Sequence, residues 1–142
     1  MAAGARPFSP QPPFHKHLML VTSLLDCPEF AAGDATILRE LLHPDKQAAN
    51  VRYSLAHARL AAGAVSTPHM LQTSEVYYLL SGEGRMHIDD ECRDVAPGDM
   101  VYIPPGSRQS IEAVGSEELL FLCIVDPAWR VEDETVEPSA SA

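Results

Sequence analysis

Residues 63–84 read GAVSTPHMLQTSEVYYLLSGEG and residues 97–115 read PGDMVYIPPGSRQSIEAVG, and these two stretches decide the fold. Each is a run of β-branched, aromatic and leucine side chains fenced by Gly, Pro and Ser, which predicts short strands joined by tight turns. Gly82 and Gly84 supply the positive φ that a hairpin needs, and Pro104, Pro105 and Gly106 fix the turn that launches a strand at Gln109. Side chains alternate along a strand, so His69 and Leu71 face the same way, with Glu75 joining them across a slight irregularity. Tyr77 and Leu79 share the parity of Glu75, while Ile111 and Ala113 share that of Gln109.

The same punctuation extends outward. Residues 51–60 (VRYSLAHARL), RMHID at 85–89, Arg93 to Val95, and ELLFLCIV at 118–125 are further strand candidates, and no long amphipathic helix competes with them. Residues 34–45, DATILRELLHPD, allow two readings. Ile37, Leu38, Leu41 and Leu42 fit a helix capped by Asp34, whereas Thr36 to His43 can run as a strand ending before Pro44. The strand is preferred, because an all-β barrel offers it an edge to pair with. SLLDCPEF at 23–30 reads as a single turn broken at Pro28 that lids the barrel.

Residues 1–17 carry four prolines among small and polar side chains and are expected to form a flexible arm. The predicted division is this arm, an extension over 18–49 packing on the barrel, the barrel at 50–127, and an acidic tail at 128–142 anchored by Trp129.

A chain of 142 residues with 46% hydrophobic content can build one core and not two comfortable ones. A net charge of -10 argues against nucleic acid or an anionic membrane as partner, since both are held mainly by Lys and Arg. No stretch approaches the ~20 apolar residues of a membrane helix. Cys27, Cys92 and Cys123 are odd in number and lack a C-x-x-C pair, so a reducing, cytoplasmic setting is the simpler expectation.

The two opening stretches resemble the cupin superfamily, whose motifs run G-x5-H-x-H-x3-E-x6-G and G-x5-P-x-G-x2-H-x3-N. Gly63, His69, Glu75, Gly82, Gly98, Pro104 and Gly106 fall at the motif positions. Leu71 and Gln109 stand where the second and third His belong, and Ala113 where the Asn belongs. The resemblance implies an all-β fold, a single double-stranded β-helix (jelly-roll) barrel with an N-terminal extension. It also implies a homodimer, and a divalent metal such as Mn, Fe, Ni or Zn.

Under that resemblance His69 would ligate through nitrogen, with Glu75 and Gln109 as oxygen donors. Leu71 removes one imidazole outright, and Gln109 replaces another with a weaker neutral donor. The alternative is a hydrogen-bonded cluster of His69, Glu75 and Gln109 that holds an organic ligand without metal. His43 and His57 are the other imidazoles that could complete a site, and Arg39 and Arg59 are the cations available to an acidic ligand. Tyr77, Leu71 and Ile111 are expected in the ligand wall, making it half apolar and suited to a small sugar, keto acid or carboxylic acid. Three functions follow. One is a dioxygenase-like or isomerase/lyase-like enzyme with Glu75 or His69 as base; the second is a non-catalytic small-molecule binder; the third is a degenerate barrel whose value is its oligomer interface.

Overall fold

A computed structural model of the protein describes residues 19–138. The arm expected over 1–17 lies outside the described residues. Among the described residues eleven strands run in order: β1 (Glu29–Ala31), β2 (Ile37–Leu42), β3 (Ser54–Leu60), β4 (His69–Leu71), β5 (Ser74–Ser81), β6 (Glu83–Ile88), β7 (Glu91–Val95), β8 (Met100–Ile103), β9 (Gln109–Val114), β10 (Leu119–Asp126) and β11 (Glu134–Val136). They form a six-stranded sheet ordered β1-β2-β3-β10-β5-β8 and a five-stranded sheet ordered β11-β4-β9-β6-β7. The pairings are antiparallel, and the two sheets enclose one core as a jelly-roll barrel.

Alternation explains which residues build that core. Along β10 Leu119, Phe121, Cys123 and Val125 are buried, and along β5 Glu75, Tyr77 and Leu79 are, while the residues between them face outward. Phe121, Leu79, Ile103, Ile111 and Leu119 are almost completely enclosed. Each contributes about 1.5–3 kcal/mol through the area it withdraws from water. Gly82, at φ 80, turns β5 into β6, and a Cβ there would lie 2.4 Å from the Glu118 carbonyl oxygen. Only glycine fits both that backbone and that gap.

Three segments differ in detail from the sequence reading. The stretch from His69 onward is two strands in different sheets, because the chain turns a corner at Gln72 and Thr73 between β4 and β5. Residues 34–45 do contain a strand, β2, and with β1 it extends the six-stranded sheet, so the extension supplies barrel wall as well as packing on it. Near the end, β11 pairs with β4 and covers an edge of the second sheet that would otherwise expose its ladder groups. The turn at Leu24–Asp26 is 3-10 helical and is held by Arg39, whose Nη1 donates to the Cys27 carbonyl at 2.7 Å.

Candidate functional site

A cavity of about 210 Å³ opens between the sheets, walled by the β1–β2 hairpin, β4, β5, β10 and the segment leading to β11. His69 and Leu71 reach it together from β4, both buried, because they alternate with the exposed Met70. Glu75 and Tyr77 reach it from β5, in the opposite sheet. The corner at residues 72 and 73 is thus what sets His69 and Glu75 facing one another across the barrel.

His69 is 4% exposed, and its Nδ1 lies 3.0 Å from the Thr67 carbonyl oxygen. A carbonyl only accepts, so Nδ1 carries a proton and Nε2 is the ring nitrogen turned to the cavity. That nitrogen lies 3.8 Å from Asp34 Oδ2. Asp34 is itself fixed: Oδ1 accepts from the Thr36 amide at 3.1 Å and the Thr36 hydroxyl at 2.6 Å, and its main-chain oxygen accepts from the Thr67 amide at 2.7 Å. Ala35 beside it holds φ 73, a left-handed conformation that costs a non-glycine residue energy and that these bonds enforce.

Glu75 is 6% exposed, and burial pushes its carboxyl up to about 8; the Gln109 amide pulls the other way, and Asp34 and Glu134 add to the rise. The carboxyl therefore carries its proton at neutral pH. Among the described residues its Oε1 has no hydrogen-bond partner, nor has Gln109 Nε2, so the neighbouring groups influence one another without meeting in hydrogen-bond geometry. The Tyr77 hydroxyl donates to Gln109 Oε1 at 3.0 Å. Burial raises both the Tyr77 phenol and the Cys123 thiol well above their ordinary values, keeping both neutral.

Of the residues marked from sequence, His69, Glu75, Leu71 and Tyr77 line the cavity. Gln109 stands opposite His69 in the β4–β9 register and sits behind the wall, joined to it through Tyr77. Ile111 belongs to the core, with its amide donating to Ser66 Oγ at 2.9 Å, because β9 carries it past the cavity floor. His43 is a structural residue: its Nδ1 accepts from the Asp45 amide and its Nε2 lies 2.9 Å from the Trp129 carbonyl. His57 and Arg59 sit on the outer face of β3, and Arg59 pairs with Glu29. Sequence reasoning missed Asp34, Phe121, Cys123 and Glu134. Their place in the wall depends on how distant strands pair, and the only local signal was the Gly33–Asp34 turn between two short apolar runs.

The fold and this arrangement define a small antiparallel barrel with a polar, partly apolar-walled interior. Residues 56–125 match the family model for the cupin domain. The chain belongs to the cupin superfamily, as a single-barrel type-2 member. An uncharacterized protein of Methanocaldococcus jannaschii is 40% identical over 108 residues, 75% of this chain and 86% of the relative. Among solved structures, a predicted oxalate decarboxylase of Thermotoga maritima superposes with a TM-score of 0.67 at 22% identity, over 76% of this chain and 99% of its own. The nucleoside dehydratase Pac13 of Streptomyces superposes with a TM-score of 0.70 at 17% identity, over 87% of this chain and 95% of its own. At these identities the two share the fold, and their different chemistries leave the choice of reaction to the residues of each site.

A divalent metal is a plausible cofactor for a cupin barrel, and the donors of this chain fit one poorly. Leu71 offers no lone pair, and Gln109, whose oxygen already accepts from the Tyr77 hydroxyl, is not among the residues that line the cavity. Among the described residues no three His, Cys, Asp or Glu side chains converge as a metal site requires.

Proposed function

We propose that the cavity binds a small oxygenated organic molecule through hydrogen bonds from His69, Asp34 and Glu75, without a metal. The Asp34–His69 pair carries this reading. Asp34 Oδ2 and His69 Nε2 face one another 3.8 Å apart, too far for a direct hydrogen bond. A ligand amino group between them can donate to both, and a hydroxyl can donate to one of them. Glu75 Oε1 is a further buried polar atom without a partner among the described residues, and satisfying such a group returns about 1–3 kcal/mol. The volume of about 210 Å³ falls below the ~300–1,000 Å³ of drug-sized sites, which confines the ligand to a small molecule. If the bound molecule reacts in an isomerase- or lyase-like step, the Nε2 lone pair of His69 is the base and the protonated Glu75 carboxyl the acid. The metal-dependent alternative at His69, Glu75 and Gln109 requires Gln109 to leave Tyr77 and turn its oxygen inward.

A thermal-shift screen of chelator-treated protein with sugars, small acids and amines tests this reading. Saturable stabilisation by one class, abolished in His69→Ala, supports it; stabilisation that appears only after manganese, iron, nickel or zinc is added overturns it.

We also infer a homodimer, formed through the outer face of the six-stranded sheet. Tyr78, Leu80, Met100, Tyr102 and Ile124 are 37–62% exposed, and cross-strand register puts Tyr78 beside Met100, and Val76 between Tyr102 and Ile124. The run ELLFLCIV in and before β10 is apolar on both faces, the pattern of a strand covered on both sides. Sedimentation equilibrium should give a dimer that Met100→Glu with Tyr102→Glu dissociates; a monomeric wild type at micromolar concentration would refute it.

A further inference from the structure

We propose that the ligand of this cavity is a small organic ammonium ion, its charge directed to Asp34 and Glu75 and its carbon substituents packed against aromatic rings. The inference rests on the reading of the cavity as a small-molecule site and names the class of molecule. Among the described residues the walls include the carboxyl groups of Asp34, Glu40, Glu75 and Glu134 and no Lys or Arg. Arg39 and Arg59, the cations that sequence reasoning held available, are engaged elsewhere: Arg39 donates to main-chain carbonyls and pairs with Glu29, and Arg59 pairs with Glu29 and Glu118. Lys46, from a solvent-exposed position, pairs with the wall carboxylate Glu40, which leaves Asp34, Glu75 and Glu134 without a Lys or Arg partner among the described residues. A carboxylate ligand entering here would bring its charge beside Asp34 with no Lys or Arg in the wall to offset the lost hydration.

The aromatic content points the same way by a separate route. The chain has four Phe, four Tyr and one Trp, and this one cavity is lined by Phe30, Tyr77, Phe121 and Trp129. Tyr77 and Phe121 lie deep, 3% and 1% exposed, with ring centroids 4.6 Å apart and tilted by 44°. Phe30 and Trp129 are partly exposed at the rim, and the Trp129 indole N–H donates to Glu134 Oε2 at 2.8 Å, which fixes the ring beside a carboxylate. Ring faces carry negative quadrupole charge and attract ammonium groups, more strongly where water is excluded. Glu75 completes the set, more than nine-tenths buried, lining the cavity, and with Oε1 lacking any partner among the described residues. A cation beside it favours the ionised carboxylate. Carboxylates and ring faces together favour a cation, and neither favours an anion.

Calorimetric titration of the full chain with choline and ethanolamine, with dimethylbutanol and ethylene glycol as their neutral isosteres, and with oxalate tests the class directly. An amine should bind about tenfold or more tightly than its neutral isostere, and oxalate should not bind. The margin should vanish in Asp34→Asn and in Glu75→Gln, each of which keeps the shape of the side chain. The Asp34→Asn variant retains the Oδ1 that accepts from Thr36, and circular dichroism verifies the fold of both variants. Equal binding of amine and neutral isostere, or binding of oxalate in place of the amines, overturns the cation assignment and leaves the small-molecule reading standing. Silence from all five compounds overturns both.

Discussion

Replacing Glu75 by Gln removes a titration that the barrel interior opposes, and the consequence for stability can be worked through. The carboxyl ordinarily loses its proton near 4.5, and burial holds it to about 8 in the folded chain. Between those values the native protein binds more protons than the unfolded chain, so stability falls as pH rises. Each pH unit costs about 1.4 kcal/mol, giving about 3 kcal/mol by pH 7 and at most about 5 kcal/mol above pH 8. Glu75→Gln has the same shape and no such proton. Its stability should match wild type near pH 5 and exceed it by several kcal/mol at pH 8.5, in urea unfolding followed by near-ultraviolet circular dichroism. The difference between the two proteins isolates this one group from every other carboxylate. A difference that stays flat from pH 5 to pH 9 would refute the picture of Glu75 as a buried, proton-bearing acid.

Three further outcomes are expected. Gly82→Ala must strain a backbone at φ 80 and push on the Glu118 carbonyl, so it should lower stability by about 2 kcal/mol or more in urea unfolding. Tyr77→Phe leaves Gln109 Oε1 buried without its donor and should cost about 1–3 kcal/mol, with loss of ligand binding only where the wall shifts; no measurable cost would mean that the Tyr77–Gln109 bond is unimportant. Leu71→His sets a second imidazole beside His69 in the same cavity, and should raise zinc affinity by about tenfold or more in a competition titration. No gain would contradict the shared facing of positions 69 and 71.

Much of the barrel was legible because its signals are local. Gly82, Pro104 and Gly106 mark turns through their own backbone preferences, and alternation places Tyr77 and Leu79 inside without knowledge of any partner strand. The cavity was legible only in part. His69, Glu75 and Tyr77 come from the motif stretch itself, but parity alone also assigned Ile111 to the wall, although β9 carries it into the core. Asp34 faces His69 only because the β1–β2 hairpin joins the six-stranded sheet beside β3, a pairing between residues far apart in sequence. The same holds for Glu134, which β11 brings in by pairing with β4. Nor could composition reveal that Gln109 would give its oxygen to Tyr77, the contact on which the choice between a metal and a metal-free site turns.

That choice is tested most directly by equilibrium dialysis of wild type and His69→Ala against manganese and zinc, with bound metal counted by elemental mass spectrometry. Well under one equivalent is expected in wild type, with no change in the variant. One equivalent bound tightly by wild type and lost in His69→Ala would contradict a metal-free site.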